Sequence, residues 1–437
     1  MSGAAPPADG GTARFQRRRE AILDGAARLF NQQGLRGGTL ADVARSVGLA
    51  TNSITYYYRR KEDLAWACLQ RSMQALGADA RAAAATPGGL AARLHALCGQ
   101  HLARLAAIAE GRHPELVQFT DVLSVGPPHD AAVRAAYTAL FRQLRTVLEP
   151  VSGSADPPLP RDALNARAHL LLSTLSWARV WLQRYEPGDH GLLASRLADL
   201  LLTGVAAASA APLAAAAQPG QTQTLTLPAE AIGAADDTGV AYLRAASRLV
   251  NEQGYHGASV DRIAAELQLT KGSFYHHHGT KEALIAAGFN RTFAVVRAAQ
   301  SMALAAPGSG LQRLALVCRT LLDFQLGAQG PLLRLTAWNA LPEALRLDAQ
   351  RTMDRLGERF ASFVIAGMAD GSMRVVDPSV TAQVLNGMLN AAAEMERWVP
   401  GLHAGNAFEL YAMPLFTGFL SSAAPDFVPD TAPVAAP

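Results

Sequence analysis

Cysteine and lysine are scarce in this sequence of 437 residues, which contains only three of each. The three cysteines, Cys68, Cys98 and Cys318, lie far apart in the chain. Their spacing excludes a disulfide framework and a thiolate zinc site, and it fits a reducing compartment. We therefore predict a cytoplasmic protein with no metal site and no cofactor.

A strongly apolar run of about 20 residues, as a membrane-spanning helix requires, is also missing. The nearest candidate, Leu201–Ala217, is interrupted by Gly204, Ser209 and Pro212. Residues 1–20 lack the apolar core of a signal peptide. We therefore expect neither a membrane partner nor secretion.

The charges of the chain nearly balance, since 39 Lys and Arg residues and 36 Asp and Glu residues leave a formal net charge of +3. The overall charge alone does not indicate a polyanionic partner. Half of the residues are hydrophobic, which is typical of a globular protein. At roughly 150 residues per domain, the length indicates two or three domains.

An internal repeat organises the chain. Residues 21–64 align without a gap with residues 241–284, and 15 of the 44 aligned positions are identical. Other positions exchange one apolar residue for another, as Val43 and Ile263 do. The sequence therefore contains two copies of one module.

Outside the repeat, apolar residues recur at helical spacing, and we find no convincing alternating strand pattern. Clusters of Pro and Gly separate the helical segments. The predicted helices are Leu90–Ile108, Ala131–Leu148, Leu164–Tyr185, Leu192–Val205, Leu311–Leu326, Pro342–Met368, Pro378–Trp398 and Phe408–Leu420. The predicted fold class is all-α.

The first copy of the repeat has the pattern of a helix-turn-helix. A helix with an apolar stripe at residues 17–33 stops at Gly34, and Thr39 opens a short helix through a capping box with Asp42. A tight turn follows, and a second short helix occupies residues 51–57.

The second copy follows the same scheme, with Ser259 and Thr270 as the caps of its two short helices. The second short helix of such a motif can enter the major groove of DNA. Ile54 in the first copy and Phe274 in the second are expected to anchor that helix inward. Tyr58 and His278 are expected to pack rather than to face DNA.

Two segments resemble the DNA-binding domain of tetracycline-repressor-like (TetR) transcriptional regulators: RLFNQQGLRGGTLADVARSVGLATNSITYYYRRKEDL and RLVNEQGYHGASVDRIAAELQLTKGSFYHHHGTKEAL. They share a Gly after the first helix, a Thr or Ser cap, an aromatic or His run, and Lys-Glu-x-Leu. The resemblance implies a three-helix DNA-binding domain on an α-helical domain that serves pairing and often binds a small molecule. Family members usually carry one such unit and dimerise, whereas this chain carries two.

The repeat and the resemblance together predict the domain organisation. The predicted domains are a first helix-turn-helix domain at 14–66, a first helical effector and pairing domain at 67–205, an Ala- and Pro-rich linker at 206–236, a second helix-turn-helix domain at 237–286, and a second helical domain at 287–423.

Residues of two kinds are predicted to contact DNA. Asn52 and Lys271 are candidates for reading base edges, because Asn can pair with adenine and Lys with guanine. Lys61 and Lys281 are candidates for holding phosphates, because each lies at a helix N-terminus. The resemblance implies phosphate contacts by Tyr57, Tyr275, His277 and Lys281. The full predicted set is Thr39, Arg45, Thr51, Asn52, Ser53, Thr55, Tyr56, Tyr57, Lys61, Ser259, Thr270, Lys271, Gly272, Ser273, Tyr275, His276, His277 and Lys281.

The two copies differ in several of these residues and in charge. Residues 14–61 contain ten Lys and Arg against three Asp and Glu, a net charge of +7, whereas residues 244–281 have a net charge of +2. Two unlike half-sites of a pseudo-palindromic double-stranded operator are therefore expected, and the first copy should contribute the steeper salt dependence. Adjacent histidines on a helix point in different directions, so His276, His277 and His278 do not predict a metal site.

The helical effector domains give fewer signals. Trp177, Trp181, Trp338 and Trp398 are candidates for binding a small hydrophobic effector, although aromatic stripes are more often a core or a pairing interface. By resemblance, the last two helices of each unit should form the pairing bundle.

The sequence predicts a sequence-specific DNA-binding regulator, a ligand-responsive repressor that acts as an intrachain pseudo-dimer and is not an enzyme. A homodimer of chains with four DNA-binding modules is the alternative assembly. The alternative functions are an α-helical enzyme or small-molecule binder with degenerate DNA-binding modules, and a protein that coats DNA without sequence preference. We find no cluster of His, Cys and carboxylates, no phosphate loop and no nucleophile motif in the sequence.

Overall fold

The computed structural model describes residues 9–119, 122–150, 159–210, 224–233, 237–335 and 341–419. Within these ranges the chain forms helices and no strand, apart from one isolated antiparallel bridge between Ala206 and Met373. The predicted all-α class, with two tandem helix-turn-helix units, is confirmed.

The described part of the first half of the chain, residues 9–210, contains eight α-helices and three 3-10 turns, at Val122–Ser124, Leu182–Arg184 and Pro187–Asp189. The helices are α1 (Asp9–Gln33), α2 (Leu40–Ser46), α3 (Thr51–Tyr57), α4 (Lys61–Ala84), α5 (Gly89–Ala109), α6 (Asp130–Leu148), α7 (Arg161–Trp181) and α8 (His190–Thr203). Helix α1 begins at Asp9, before the predicted start at residue 17. We refer to α1, α2 and α3 as the first head.

The second half, residues 224–419, repeats this order after one short extra helix. Its helices are α9 (Ala229–Ile232), α10 (Thr238–Gly257), α11 (Val260–Glu266), α12 (Lys271–His278), α13 (Lys281–Ala305), α14 (Gly310–Leu326), α15 (Glu343–Ala369), α16 (Pro378–Ala391), α17 (Ala404–Ala407) and α18 (Met413–Thr417), with one π-turn at Phe408–Ala412 between the last two. We refer to α10, α11 and α12 as the second head.

The two halves meet where α7 of the first packs along α16 of the second. Aromatic and amide side chains form this contact. Trp177 lies against Gly387, where an added Cβ would stand 3.0 Å from the indole, and its Nε1 donates a hydrogen bond to Gln383 over 3.3 Å. The ring of Trp398 stacks on that of Phe141, with 4.2 Å between centroids. These side chains are buried, so the contact between the halves is part of the hydrophobic core.

A backbone seam also joins the halves where their last helices end. The N–H groups of Val205 and Ala206 donate to the carbonyl oxygens of Leu415 (3.0 Å) and Phe416 (2.9 Å). The N–H of Phe419 donates back to the carbonyl oxygen of Leu201 over 2.8 Å. Each half therefore satisfies backbone groups of the other.

Two glycines make this seam possible. Gly204 follows α8 and Gly418 follows α18, and both have positive φ angles, +67° and +86°. A Cβ on Gly204 would overlap the carbonyl group of Phe416, and a Cβ on Gly418 would overlap that of Leu202. Only a residue without a side chain fits such a close approach of two backbones.

The described part of the predicted linker is attached to the second half. The N–H of Leu225 donates to the hydroxyl of Thr320 (3.1 Å), and Nε of Arg291 donates to the carbonyl oxygen of Ile232 (3.2 Å). Residues 211–223 and 234–236 lie outside the described residues. The domain boundaries stay a prediction.

Candidate nucleic-acid interface

The helix-turn-helix of the first head begins with the predicted capping box. The hydroxyl of Thr39 accepts the N–H of Asp42 over 3.1 Å, and the carboxylate of Asp42 accepts the N–H of Thr39. The hydroxyl of Thr39 also donates to the carboxylate of Asp42 over 2.7 Å, and this hydrogen bond, followed by that from the N–H of Thr39, lowers the pKa of Asp42. The turn after α2 contains Gly48 with φ +67°, which sends the chain into α3.

The second head builds the same motif with other residues. Ser259 accepts the N–H of Arg262 over 3.3 Å, and Thr270 accepts the N–H of Ser273 over 3.2 Å. Both predicted caps are confirmed. The turn residue is Gln268, with φ +57°, the one described non-glycine residue with a positive φ.

Each second short helix is anchored inward as predicted. Ile54 of α3 and Phe274 of α12 are fully buried, and Phe274 meets the ring of Tyr242 edge-on at 5.6 Å between centroids. Tyr58 is buried, and His278 is half-buried with Nε2 at 3.3 Å from the carbonyl oxygen of Gly239. The expectation that these two residues pack is confirmed.

The opposite faces of α3 and α12 are available to a ligand. Most of the predicted DNA-contacting residues are exposed: Thr39, Arg45, Thr51, Asn52, Thr55, Tyr56, Thr270, Lys271, Gly272, Tyr275, His276 and His277. The others are half-buried: Ser53, Tyr57, Lys61, Ser259, Ser273 and Lys281. The structure thus brings each predicted set together on one head, while the DNA contacts themselves stay a prediction.

The two lysines at helix N-termini bind the loop between the first and second helices of their own head. In the second head this loop is the end of α10, beyond the break in the helix at Gly254 (φ +71°). Nζ of Lys61 donates to the carbonyl oxygen of Arg36 over 2.5 Å. Nζ of Lys281 donates to the carbonyl oxygen of Tyr255 and lies 4.0 Å from the centre of its ring. Burial lowers the pKa of Lys281. A phosphate would therefore meet lysines that this loop already positions.

Lys271 is held by an acidic partner within its own head. Its Nζ lies 3.1 Å from the carboxylate of Asp261, and this hydrogen bond raises the pKa of Lys271. Both side chains are more than half exposed. To contact a base, Lys271 would therefore have to leave the carboxylate of Asp261 and bind a hydrogen-bond acceptor on the base instead.

An aromatic cluster on the first head was not predicted from the sequence. Phe15 of α1 packs against Tyr57 with tilted rings, 4.7 Å between their centroids, and meets Tyr56 edge-on at 6.2 Å. Tyr56 is 76% exposed. The only sequence signal for this cluster is the continuation of α1 toward the N-terminus, which places Phe15 beside the predicted DNA-facing tyrosines.

The two heads touch through equivalent loops. A Cβ on Gly37 would lie 2.8 Å from Nε2 of His256, and a Cβ on Gly257 would lie 3.2 Å from the guanidinium of Arg36. Gly37 and Gly257 occupy matching positions of the repeat, as do Arg36 and His256. Burial, followed by the charges of Lys281 and Lys61, lowers the pKa of His256.

Two cavities of similar size lie in the described helical part, which also has a smaller one bordered by Leu200 and Phe416. We call the first the cleft. It lies between the halves, and its volume, including the open mouth, is about 510 Å³. We call the second the chamber; it lies in the second half, has mostly apolar walls such as Phe293, Met353 and Phe360, and contains about 470 Å³ of such space. Arg334 and Asn390 border both cavities.

The predicted tryptophans have different surroundings. Trp177 lines the cleft. Trp181 is buried against Tyr185 at 5.8 Å between ring centroids, and Trp398 belongs to the contact between the halves. Trp338 lies outside the described residues. Ligand contacts by these side chains stay a prediction.

Two further statements hold for the described ranges. No helix there combines the length and the apolar character needed to cross a bilayer. No group of three or more His, Cys, Asp or Glu side chains there is arranged to hold a metal ion.

Comparison with known proteins identifies both heads. The family model described as "Bacterial regulatory proteins, tetR family" matches residues 22–68 and 243–287. The model of a tetracyclin repressor-like C-terminal domain matches residues 307–398. No curated protein matches the chain.

Solved structures similar to this chain include the following three. PfmR, a TetR family transcriptional regulator from Thermus thermophilus, is 23% identical over 41% of this chain and 95% of its own, with a TM-score of 0.34. AibR, solved with isovaleryl coenzyme A and operator DNA, is 22% identical over 41% of this chain and 96% of its own, with a TM-score of 0.35. A TetR/AcrR family regulator from Thermobifida fusca is 22% identical over 41% of this chain and 97% of its own, with a TM-score of 0.30.

Proposed function

Because this chain is a tandem TetR-like protein, with two tetR-family DNA-binding domains on helical C-terminal parts, we propose that it is a repressor that reads an operator with two unlike heads. The main support for this proposal is that both helix-turn-helix motifs are complete. Each has a capped first helix, a buried anchor in the second helix and an exposed polar face. Such a face can enter a major groove.

We further propose that the two heads act as a pseudo-dimer within one chain. The packing of α7 on α16 and the backbone seam at Gly204 and Gly418 support this assembly. The link between the heads is then covalent, so pairing does not depend on protein concentration. A size-exclusion mass measured at micromolar concentration should correspond to one chain, and a mass of two chains would instead favour four heads.

We also propose that a small molecule regulates DNA binding through the helical part. The chamber supports this proposal, because it is a largely apolar cavity with a few polar groups, Thr292, Gln325 and Asn386 among them. A ligand changes operator affinity only by its preference for one arrangement of the heads over another.

Selection of genomic fragments by the purified full chain should yield two different half-sites. Asn52 and Lys271 occupy the exposed faces of α3 and α12 and belong to different heads. We expect Asn52→Ala to relax the preference at one position of one half-site and Lys271→Ala to relax it in the other, each by about tenfold. The measurement is a fragment selection repeated with each variant.

Control variants in the same heads separate base reading from folding. Gln32→Ala in the first head and Glu252→Ala in the second change exposed side chains of α1 and α10, away from the predicted base-reading faces, and should leave both half-sites unchanged. Fragments with no shared sequence would contradict the regulator and support nonspecific coating of DNA. An absence of binding at low salt would favour the small-molecule binder or enzyme.

The first head should dominate the salt dependence of operator binding. Arg17 and Arg18 are exposed on α1 of this head, near the aromatic cluster of Phe15. Removing one phosphate-binding side chain lowers the slope of log affinity against log salt by about 0.9. We expect the double change of Arg17 and Arg18 to Gln to reduce the slope by about 1 to 2 in fluorescence-anisotropy titrations.

The matched control changes two exposed arginines of the helical part, Arg134 and Arg142, to Gln. This variant has the same net charge as the first, but both heads keep their wild-type sequence. An equal decrease of slope in both variants would show that the dependence reflects total charge and not phosphate binding by the first head.

A further inference from the structure

An asparagine of the first head holds the loop that follows α5. Nδ2 of Asn31 donates to the carbonyl oxygen of Leu116 over 2.9 Å, and Oδ1 of Asn31 accepts the N–H of Gln118 over 2.9 Å. One side chain thus binds the loop at two points, which fixes its position relative to α1.

The second half contains the same arrangement. Nδ2 of Asn251 donates to the carbonyl oxygen of Leu332 over 2.8 Å, and its Oδ1 accepts the N–H of Arg334 over 2.9 Å. Asn31 and Asn251 are matching, identical positions of the repeat. We call these two residues the asparagine clamps.

The residues held by the clamps are walls of the cleft. Gln118 and Phe119 from the first loop and Arg334 from the second line it, opposite Trp177 of α7. The first loop also reaches both heads, because Nε of Arg36 donates to the carbonyl oxygen of Ser124 (2.8 Å) and the turn Val122–Ser124 contacts α10. The cleft is therefore connected to each head through short, hydrogen-bonded segments.

The chemistry of the cleft favours one kind of occupant. The buried Arg334 forms an ion pair with the half-buried Glu394, so the charges of these two side chains at the cleft cancel. His169 is 3% exposed, and Nδ1 of its ring has no hydrogen-bond partner among the described residues. Burial lowers the pKa of His169 to about 3, so the ring is neutral at physiological pH.

The remaining walls are aromatic or carry hydroxyl and amide groups. Phe119 and Tyr137 lie with 5.8 Å between ring centroids, and Ser173, Ser176 and Asn390 supply polar groups. A charged ligand would lose its hydration in the cleft, and the ion pair of Arg334 and Glu394 would leave it no unpaired charge to compensate for that loss. An uncharged ligand avoids this free-energy cost. Planar rings pack well against aromatic walls.

We propose that the cleft between the halves binds an uncharged, planar aromatic molecule with hydrogen-bonding groups, and that the asparagine clamps pass its presence to both heads. The second part rests on the proposed regulatory function. A ligand that binds between these walls changes their position. The walls that give way include Gln118, Phe119 and Arg334, which belong to the clamped loops.

Nile red, an uncharged planar dye that fluoresces in apolar surroundings, tests the site in the absence of DNA. We expect one dye per full chain, and binding weaker by about tenfold or more in Ser176→Trp, which fills the cleft. Ser362→Trp, on the exposed face of α15, is the control and should bind as the wild type does. Unchanged binding in Ser176→Trp overturns the site. Tighter binding of the anionic dye 8-anilinonaphthalene-1-sulfonate to the cleft overturns the ligand class.

Amide hydrogen exchange tests the clamps. Saturating Nile red should change exchange in α1 and α10 of the wild type, and the double variant with Asn31→Ala and Asn251→Ala should still bind the dye but lose this change. No change in the wild type overturns the transmission to the heads, whether or not the variant folds. Neither dye experiment uses operator DNA. A chain that binds the dye but binds no DNA would therefore contradict the proposed function as a regulator and not the proposed ligand site.

Discussion

Replacing Phe274 with Ala should abolish recognition of one half-site and leave the other readable. The Phe274 side chain is fully buried between α12 and the ring of Tyr242, so its removal leaves a cavity where the second short helix is anchored. Truncation of a buried Phe costs about 3–5 kcal/mol, a large part of the stability of a small three-helix unit. Footprinting on an operator with both half-sites should show protection of one side only, and urea unfolding should show a less stable head.

The neighbouring Tyr275 provides the control. It is 50% exposed on the same helix, and its ring contacts Phe274 only edge-on. Tyr275→Ala should leave the free energy of unfolding within about 0.5 kcal/mol of the wild type while weakening operator binding. Wild-type protection of both half-sites by Phe274→Ala would show that α12 is not the helix that reads the operator.

Replacing Gly204 with Ala should loosen the two halves from each other. The residue has φ +67°, and the added Cβ would overlap the carbonyl group of Phe416 in the other half. Strained backbone of this kind costs about 1–3 kcal/mol, and displacement of the seam adds to that cost. We expect the free energy of unfolding to fall by about 3 kcal/mol and the radius of gyration to increase in small-angle scattering.

Gly191 of α8 offers the same substitution without the clash. Its φ is in the ordinary range, and no atom lies within 4 Å of its would-be Cβ. Gly191→Ala should be neutral or stabilising by up to about 1 kcal/mol, because Ala is favoured over Gly in a helix. Equal effects of the two substitutions would mean that the seam does not hold the halves together.

The local motifs could be predicted because each depends on residues close together in the sequence. The capping box of Thr39, the caps at Ser259 and Thr270, and the inward direction of Ile54 follow from spacing and hydrogen-bonding capacity. The all-α class follows from the same periodicity.

Features that join distant segments could not be predicted in this way. In the sequence, Asn31 is only one of the identical positions of the repeat, and no residue near it indicates that its side chain hydrogen-bonds to Leu116. Gly204 looked like an interruption of an apolar run, whereas it permits contact with a backbone more than 200 residues away. Likewise, the carboxylate of Asp261 beside Lys271 depends on how α11 and α12 pack.

The seam between the ends of the two halves bears on how operator occupancy responds to gene expression. A regulator assembled from separate subunits populates its active form in proportion to the square of subunit concentration when the subunits are dilute. If the two heads act as the proposed pseudo-dimer, occupancy would instead rise in direct proportion to the number of molecules. Each half would then also be free to diverge toward its own DNA sequence.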